Sequence, residues 1–374
     1  MFLRRCSTGN NAFSSFFALT RGAPKGGVRS GEGRKSAKCP NFRGILRLYG
    51  EMNGDFLYSD TNKRYHTFDY YARRRFGKKV MKVGLDGGFT CPNRDGTKGV
   101  GGCAFCGEGG AESMPLGRNE GLPPPLALQY RQGRERLAKK WGDLPAIAYF
   151  QSYSSTYAPL DRQKALFEEA LAFEGVVGLA ISTRPDCLSS ATLEYLSELS
   201  GRTVLTVELG LQTTFDETSS RMNRGHTYAE FLEGYEALKE RGVAVGVHLI
   251  NGLPGESREM MLENAVRVGA LAPDFLKLHS LYYRKGTALG QGYLRGEYGE
   301  MTMDEYVSLL AEQLLYIPGK TVVERLTGDA KREELIAPLW TADKKKVIAK
   351  LDVLLEKRGD FQGKRVDLCN LHKK

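Results

Sequence analysis

The sequence predicts an α/β fold: a parallel sheet wrapped by crossover helices, forming a partial (β/α)6 barrel with a helical C-terminal extension. Three observations predict it. Six short apolar segments alternate with helical segments of ten or so residues, which is how a parallel sheet with crossover helices reads. The six follow one another without a break in the alternation, which fits an open barrel better than a two-sided sheet, although periodicity alone does not separate the two. Finally, 374 residues can bury a barrel-sized core with appendages to spare.

The elements follow in order. KKVMKVGLDGG (78–88) reads as the first strand, and LALQYRQGRERLAKKW (126–141) has helical spacing. PAIAYFQSY (145–153) is the second strand, followed by the helix DRQKALFEEALAF (161–173). VVGLAISTRP (176–185), TVLTVELGLQ (203–212), AVGVHLINGLPG (244–255) and DFLKLHSLYY (274–283) supply the other four strands, with helices at 191–200, 228–242 and 258–272 between them. Charged helices after Met301, broken near Pro318 and Pro338, form the extension. The expected organisation is a leader at 1–51, a core domain at 63–290 and a C-terminal domain at 291–374.

The net charge of +10 is mostly in one place. Residues 1–51 carry 10 basic and 2 acidic side chains, whereas the remaining 323 carry 44 and 42. The body is nearly neutral, so the overall charge says little about a polyanionic partner. The leader is rich in Arg, Ser and Gly and has no sustained period, so it is expected to lie outside the fold. It reads either as an organellar transit peptide or as sequence upstream of a true start at Met52; its glycines, which break an amphipathic helix, favour the second. No apolar run approaches the roughly 20 residues that span a bilayer. The expectation is a soluble protein without a membrane partner, cytoplasmic unless the leader is a genuine transit peptide.

Seven cysteines, three of them in one glycine-rich stretch, favour a reducing compartment and a metal or cluster site over disulfides. Cys91, Cys103 and Cys106 form C-x11-C-x2-C on a loop leaving the first strand. Loops at the C-terminal ends of strands are where barrel enzymes keep their chemistry. Structural zinc usually takes four protein ligands and ferredoxin clusters four cysteines, whereas three cysteines leave one iron of a cubane open to a small ligand. Spacing alone also permits a zinc loop completed by Cys187, His66 or His279.

The surrounding segments resemble the radical S-adenosylmethionine (SAM) superfamily, most closely its YhcC-like group, relatives of the elongator catalytic subunit. The resemblance runs from about Tyr65 to Arg365 and rests on KVGLDGGFTCPNRDGTKGVGGCAFCGEGG, AYFQSYSSTYAPL, ISTRPDCL, VELGLQT with MNRGHT, VHLINGLPGE, KLHSLYYRKGTAL and ERLTGDAKREELIAPLW. It implies a radical-SAM barrel, a [4Fe–4S] cluster on Cys91, Cys103 and Cys106, reductive cleavage of SAM to a 5′-deoxyadenosyl radical, and a reductant such as flavodoxin or ferredoxin. The first gap is longer than the superfamily's commonest C-x3-C-x2-C, but a wide gap is typical of this group.

The same resemblance implies further contacts. Phe105 would pack beside adenine. Gln151 and Ser152 stand where the superfamily usually has Gly-Gly-Glu for the methionine amino group; the Glu is missing. Ser182 aligns with an acidic ribose contact of the radical coproporphyrinogen oxidases, Gln212 and Arg224 with contacts to ribose and carboxylate, and His248 with a ribose-binding Asp. Glu208, a further expected cosubstrate contact, lies in an otherwise apolar strand and must meet a polar partner because an unpaired buried carboxylate is costly. His279 faces either the substrate cavity or solvent. No catalytic residue and no substrate is identified; tRNA is a candidate.

The competing reading is a zinc-stabilised nucleic-acid-binding protein without catalysis. It draws on the cysteine loop and on KRYHTFDYYARRRFGKKVMK (63–82), where basic and aromatic residues interleave. That segment reads equally as a solvated helix covering the barrel bottom. Only about 80 residues follow the barrel, too few for the elongator relative's acetyltransferase domain, so acetyl transfer is not expected.

Overall fold

The structure, a computed structural model, describes residues 56–107, 122–328 and 331–366. The leader at 1–51 lies outside the described residues. Six strands, β1 (Met81–Leu85), β2 (Ala146–Phe150), β3 (Val176–Thr183), β4 (Val204–Gln212), β5 (Ala244–Asn251) and β6 (Phe275–Ser280), pair parallel in chain order. After the short β7 (Tyr283–Arg284), β8 (Val322–Arg325) adds a seventh parallel strand beside β6, giving a curled, open half-barrel. The count of six is therefore corrected to seven. The extension is not purely helical either, because β9 (Leu335–Ala337) pairs antiparallel with β7. β8 comprises only VVER between a proline turn and a loop, too short a run to show a period.

Strand alternation divides the molecule into a greasy outer layer and a polar lumen. On β1, Met81, Val83 and Leu85 are buried in the main core with Leu126 and Tyr130 of α2 (Leu126–Trp141), while Lys82 points to the other face. The crossover helices α3 (Leu160–Leu171), α4 (Ser190–Arg202), α6 (Tyr228–Glu240) and α7 (Arg258–Leu271) cover the outside. Their starts are written in sequence: Ser189 and Ser257 accept from the third helical backbone N–H, and Thr227 with Glu230 forms a capping box. A short α5 (Asp216–Arg221) precedes α6.

The N-terminal helix α1 (Phe68–Phe76) plugs the lumen from below. Phe68 packs against Ile147, Tyr149 and Ala180, and the Thr67–Val323 bridge ties the helix start to β8. This is the bottom-covering helix expected of 63–82. Arg73 pairs with Asp60 and Asp69, and Tyr65 and His66 are buried. The segment thus lies at the opposite end of β1 from the cysteines.

After β7 come α8 (Ala288–Leu294) and α9 (Met303–Leu315), and α10 (Lys344–Arg358) follows β9. The turn after α9 rests directly on α7, where a Cβ added at Gly269 would lie 2.1 Å from the Tyr316 carbonyl oxygen. Backbone cannot give way as a side-chain tip can. Gly269→Ala is therefore expected to cost about 1–3 kcal/mol through overpacking, read as a lowered thermal midpoint; an unchanged midpoint would show that the two elements part without cost.

Candidate active site

The cysteine loop occupies residues 86–107, leaving the C-terminal end of β1. Its long x11 gap is a small excursion that folds back on itself: Gly96 N–H donates to Gly99 O, Asp95 bridges Val100, and Gly102 N–H donates to Asn93 O. The excursion returns the chain to Cys103, and Cys106 N–H donates to Cys103 O across the C-x2-C turn. Ala104 pins the loop, donating to Met222 O at the end of α5 and accepting from Leu289 N–H on α8. Glycine is required at Gly102, whose φ of +79° is left-handed and where a Cβ would meet the Arg94 guanidinium at 2.8 Å.

Three arginines approach the thiols. Arg94 Nη2 donates to Cys106 O (3.1 Å) and Gly107 O (2.6 Å), which sets its charge beside the Cys106 thiol. Arg224 Nη1 donates to Cys103 Sγ at 3.2 Å, and Asn93 Nδ2 approaches the same sulfur at 3.8 Å. Arg184 is held by Asp186 (2.9 and 2.7 Å) and donates to the carbonyls of Arg224 and Gly225, fixing the backbone from which Arg224 projects. Burial, then Cys103 nearby, pushes the Cys106 thiol up to about 11 although Arg94 pulls it down. A bound metal displaces such protons. All three cysteines are free thiols.

This donor set fits an anionic iron–sulfur cluster: three unpaired thiols on one loop, with cationic and amide N–H groups aimed at sulfur. It fits zinc less well. Two of the three proposed fourth ligands, His66 and Cys187, fail on position or chemistry. His66 lies at the barrel bottom, where its Nδ1 pairs with Lys320 O. The Cys187 thiol, on a turn after β3, is pushed up to about 12 by burial and by Asp186. The Asp186 carboxylate beside it repels the thiolate, which is the ligand form.

Beside the loop, at the C-terminal mouth of the strands, lies a cavity of about 110 Å³. Phe105, Gln151, Ser182, Gln212 and His248 all line it, so five of the expected SAM contacts converge there. His279 lines it too, which assigns that side chain to the cavity rather than to solvent. Ser152 does not line it, but is buried in the loop after β2, and among the described residues neither its hydroxyl nor that of Ser155 has a partner. That loop is knitted to its surroundings through Ser154 N–H to Thr90 O and Ser155 N–H to Ser182 O. Unpartnered buried hydroxyls are unusual.

Two expected contacts are placed elsewhere. Arg224 sits against Cys103. Glu208 lies behind the cavity wall, fully buried, at the centre of a charge network spanning six strands. Its Oε1 accepts from Lys82 (2.9 Å); its Oε2 accepts from Tyr149 (2.6 Å) and Lys277 (2.5 Å) and meets His248 Nε2 at 2.8 Å. Lys82 also reaches Glu324 on β8 at 2.5 Å. Burial opposes the ionised carboxylate, but Lys277 and Lys82 outweigh it and hold Glu208 well below the usual range. Burial, then Lys277, keeps His248 neutral. A neutral His248 donating from Nε2 leaves Nδ1 as an acceptor.

The polar partners that Glu208 demanded are thus Lys82, Tyr149, His248 and Lys277. Lys82 and Lys277 stand as lone lysines flanked by apolar residues within strands, a pattern that reads equally as solvent-facing. Asn93 carries no such mark.

Residues 91–267 match the model of the Radical SAM superfamily, and residues 273–357 that of the Radical_SAM C-terminal domain. Over 313 residues the chain is 44% identical to YtqA of Bacillus subtilis (strain 168), covering 84% of this chain and 96% of that protein. Over 291 residues it is 35% identical to YhcC of Escherichia coli (strain K12), covering 76% and 90%. Among solved structures, the Methanocaldococcus infernus Elp3 with an N-terminal deletion matches with a TM-score of 0.56 at 20% identity, over 76% of this chain and 64% of that one.

Proposed function

The chain belongs to the radical SAM superfamily and is an enzyme, and on that premise we propose that Cys91, Cys103 and Cys106 hold a [4Fe–4S] cluster beside a SAM-binding cavity. The observation that carries this reading is the convergence of three free thiols, N–H donors aimed at sulfur, and a cavity lined by polar side chains at one barrel mouth. When bound, the reduced cluster supplies the electron that splits the sulfonium C–S bond of SAM, yielding a 5′-deoxyadenosyl radical for hydrogen abstraction.

The chain's own residues bind, orient and exclude water. Phe105 offers an apolar face to adenine. Gln151, on the cavity wall, supplies a polar contact for the methionine amino group in place of the missing Glu. Ser182, Gln212 and the Nδ1 acceptor of His248 serve the ribose hydroxyls. Glu208 fixes the His248 ring and tautomer without touching the cosubstrate. A low-potential flavodoxin or ferredoxin is the proposed electron donor. Bulk tRNA and small metabolites are the two proposed substrate pools; α1 lends tRNA no support, because Arg73 is engaged in ion pairs at the far end of the barrel. Among the described residues no helix is long and apolar enough to cross a membrane.

Anaerobic reconstitution tests the reading. The protein is expected to take up about four irons with matching sulfide and, once reduced, to convert SAM to methionine and 5′-deoxyadenosine. Zinc uptake without sulfide, or a reduced cluster that leaves SAM intact, would overturn it. Deuterated tRNA and a deuterated metabolite extract, screened for label in deoxyadenosine, then separate the two substrate pools.

A further inference from the structure

The guanidinium of Arg224 is buried, and among the described residues no carboxylate pairs with it. Its Nη2 donates to the Gly210 carbonyl and to His226 Nε2 at 2.9 Å, its Nε has no partner, and its Nη1 donates to Cys103 Sγ at 3.2 Å. Phe105 covers one face, with its ring centre 5.9 Å away. Neither hydrogen-bond partner on Nη2 carries a balancing charge. One is a carbonyl, and the other is an imidazole that burial, then Arg224 itself, keeps uncharged, its proton lying on Nδ1 toward Thr227 O (3.2 Å). A buried cation without a counter-ion is costly, and the anion that Arg224 is built for is missing from the described side chains.

We propose that this anion is the cluster itself, and that Arg224, acting through Cys103 Sγ, is a positioning residue that sets the cluster's reduction potential. The inference rests on the cluster reading above. Three thiolates make the assembly anionic, and one-electron reduction by the flavodoxin- or ferredoxin-type donor adds one more negative charge. A fixed cation with an N–H on a cluster sulfur therefore favours the reduced form more than the oxidised one. The placement is built rather than incidental. Arg184 grips the Arg224 carbonyl from a bidentate pair with Asp186, and Gly210 leaves room for the guanidinium, since a Cβ there would come within 3.4 Å of Nη2. Asn93 adds a weaker donor to the same sulfur at 3.8 Å. Arg224 thus differs from an arginine whose only duty is the carboxylate of SAM: its effect on the cluster is present before SAM arrives.

The test is a redox titration of the reconstituted protein without SAM, followed by electron paramagnetic resonance. Arg224→Gln, which keeps a donor and loses the charge, is expected to lower the reduced-to-oxidised ratio at a fixed potential about tenfold, a negative shift of about 59 mV for one electron. Arg224→Lys should fall between this variant and wild type. A wild-type midpoint in Arg224→Gln, or a shift that appears only after SAM is added, overturns the proposal. If Arg224→Gln folds but holds no iron, Arg224→Lys decides: iron retained supports the counter-charge role, and iron lost overturns it. Wild-type protein that takes up no iron and sulfide sinks the cluster reading instead.

Discussion

Cys103→Ala is expected to remove the bound iron and to take SAM cleavage below detection, whereas Cys187→Ala should leave both near wild type. The contrast follows from the surroundings of the two thiols. Both are buried, so burial alone predicts no difference. Cys103, however, receives Arg224 Nη1 and Asn93 Nδ2 on its sulfur, an environment that stabilises a thiolate ligand. Cys187 lies beside the Asp186 carboxylate, which opposes ionisation. A cubane held by three cysteines has none to spare, so the loss should be complete rather than graded. Iron and sulfide per chain, with deoxyadenosine formed from SAM, are the measurements. Full cluster content in Cys103→Ala would sink the ligand assignment; loss of iron in Cys187→Ala would restore the four-ligand reading.

Much of the architecture was legible because each of the first six strands is an apolar run with a clear end. Gly252, Pro254 and Gly255 close β5, and Pro185 closes β3. Helix starts were equally open to reading at Ser189, Thr227 and Ser257, where a short polar side chain precedes the first turn. β8 escaped because four residues have too little length for a period, and its place beside β6 is set by tertiary packing.

At the site, the cysteines were visible as a motif, and Gln151, Ser182 and Gln212 lay at or next to strand ends, where a parallel barrel gathers its chemistry. Arg224 was legible as functional but not in its contact. Its approach to Cys103 depends on a loop 121 residues earlier in the chain folding back through Asn93 and Gly102. Glu208 announced a need for partners; it could not announce that two of them were lysines on β1 and β6. A lysine alternating with apolar residues reads as a solvent-facing position unless the strand belongs to a sheet that curls around a lumen.

That lumen network makes the largest stability prediction. Glu208→Gln is expected to destabilise the fold by about 3–5 kcal/mol, because it strands two buried ammonium groups, Lys82 and Lys277, on the single carboxylate of Glu324. The position matters for the fold as well as for the charges. β1 and β8 are the two edges of the open sheet, and the Lys82–Glu324 pair spans them while Glu208 draws Lys82 and Lys277 together from the middle strand. Denaturant midpoints at pH 7 measure the loss.

The pH dependence gives a second check. The folded carboxyl is held below its ordinary value, near 4.3 in an unfolded chain. Its contribution is therefore present above that value and is lost as pH falls through the folded one. The gap between wild type and Glu208→Gln should be widest at neutral pH and should close in acid. A quadruple variant adding Lys82→Met, Lys277→Met and Glu324→Gln should recover much of the loss, since removing every charge of the network, Glu324 included, leaves none uncompensated. If the single variant unfolds at the wild-type midpoint at pH 7, the charges are not holding the barrel edges together, and apolar packing of Met81, Val83 and Val323 on the outer faces of those strands must do so alone.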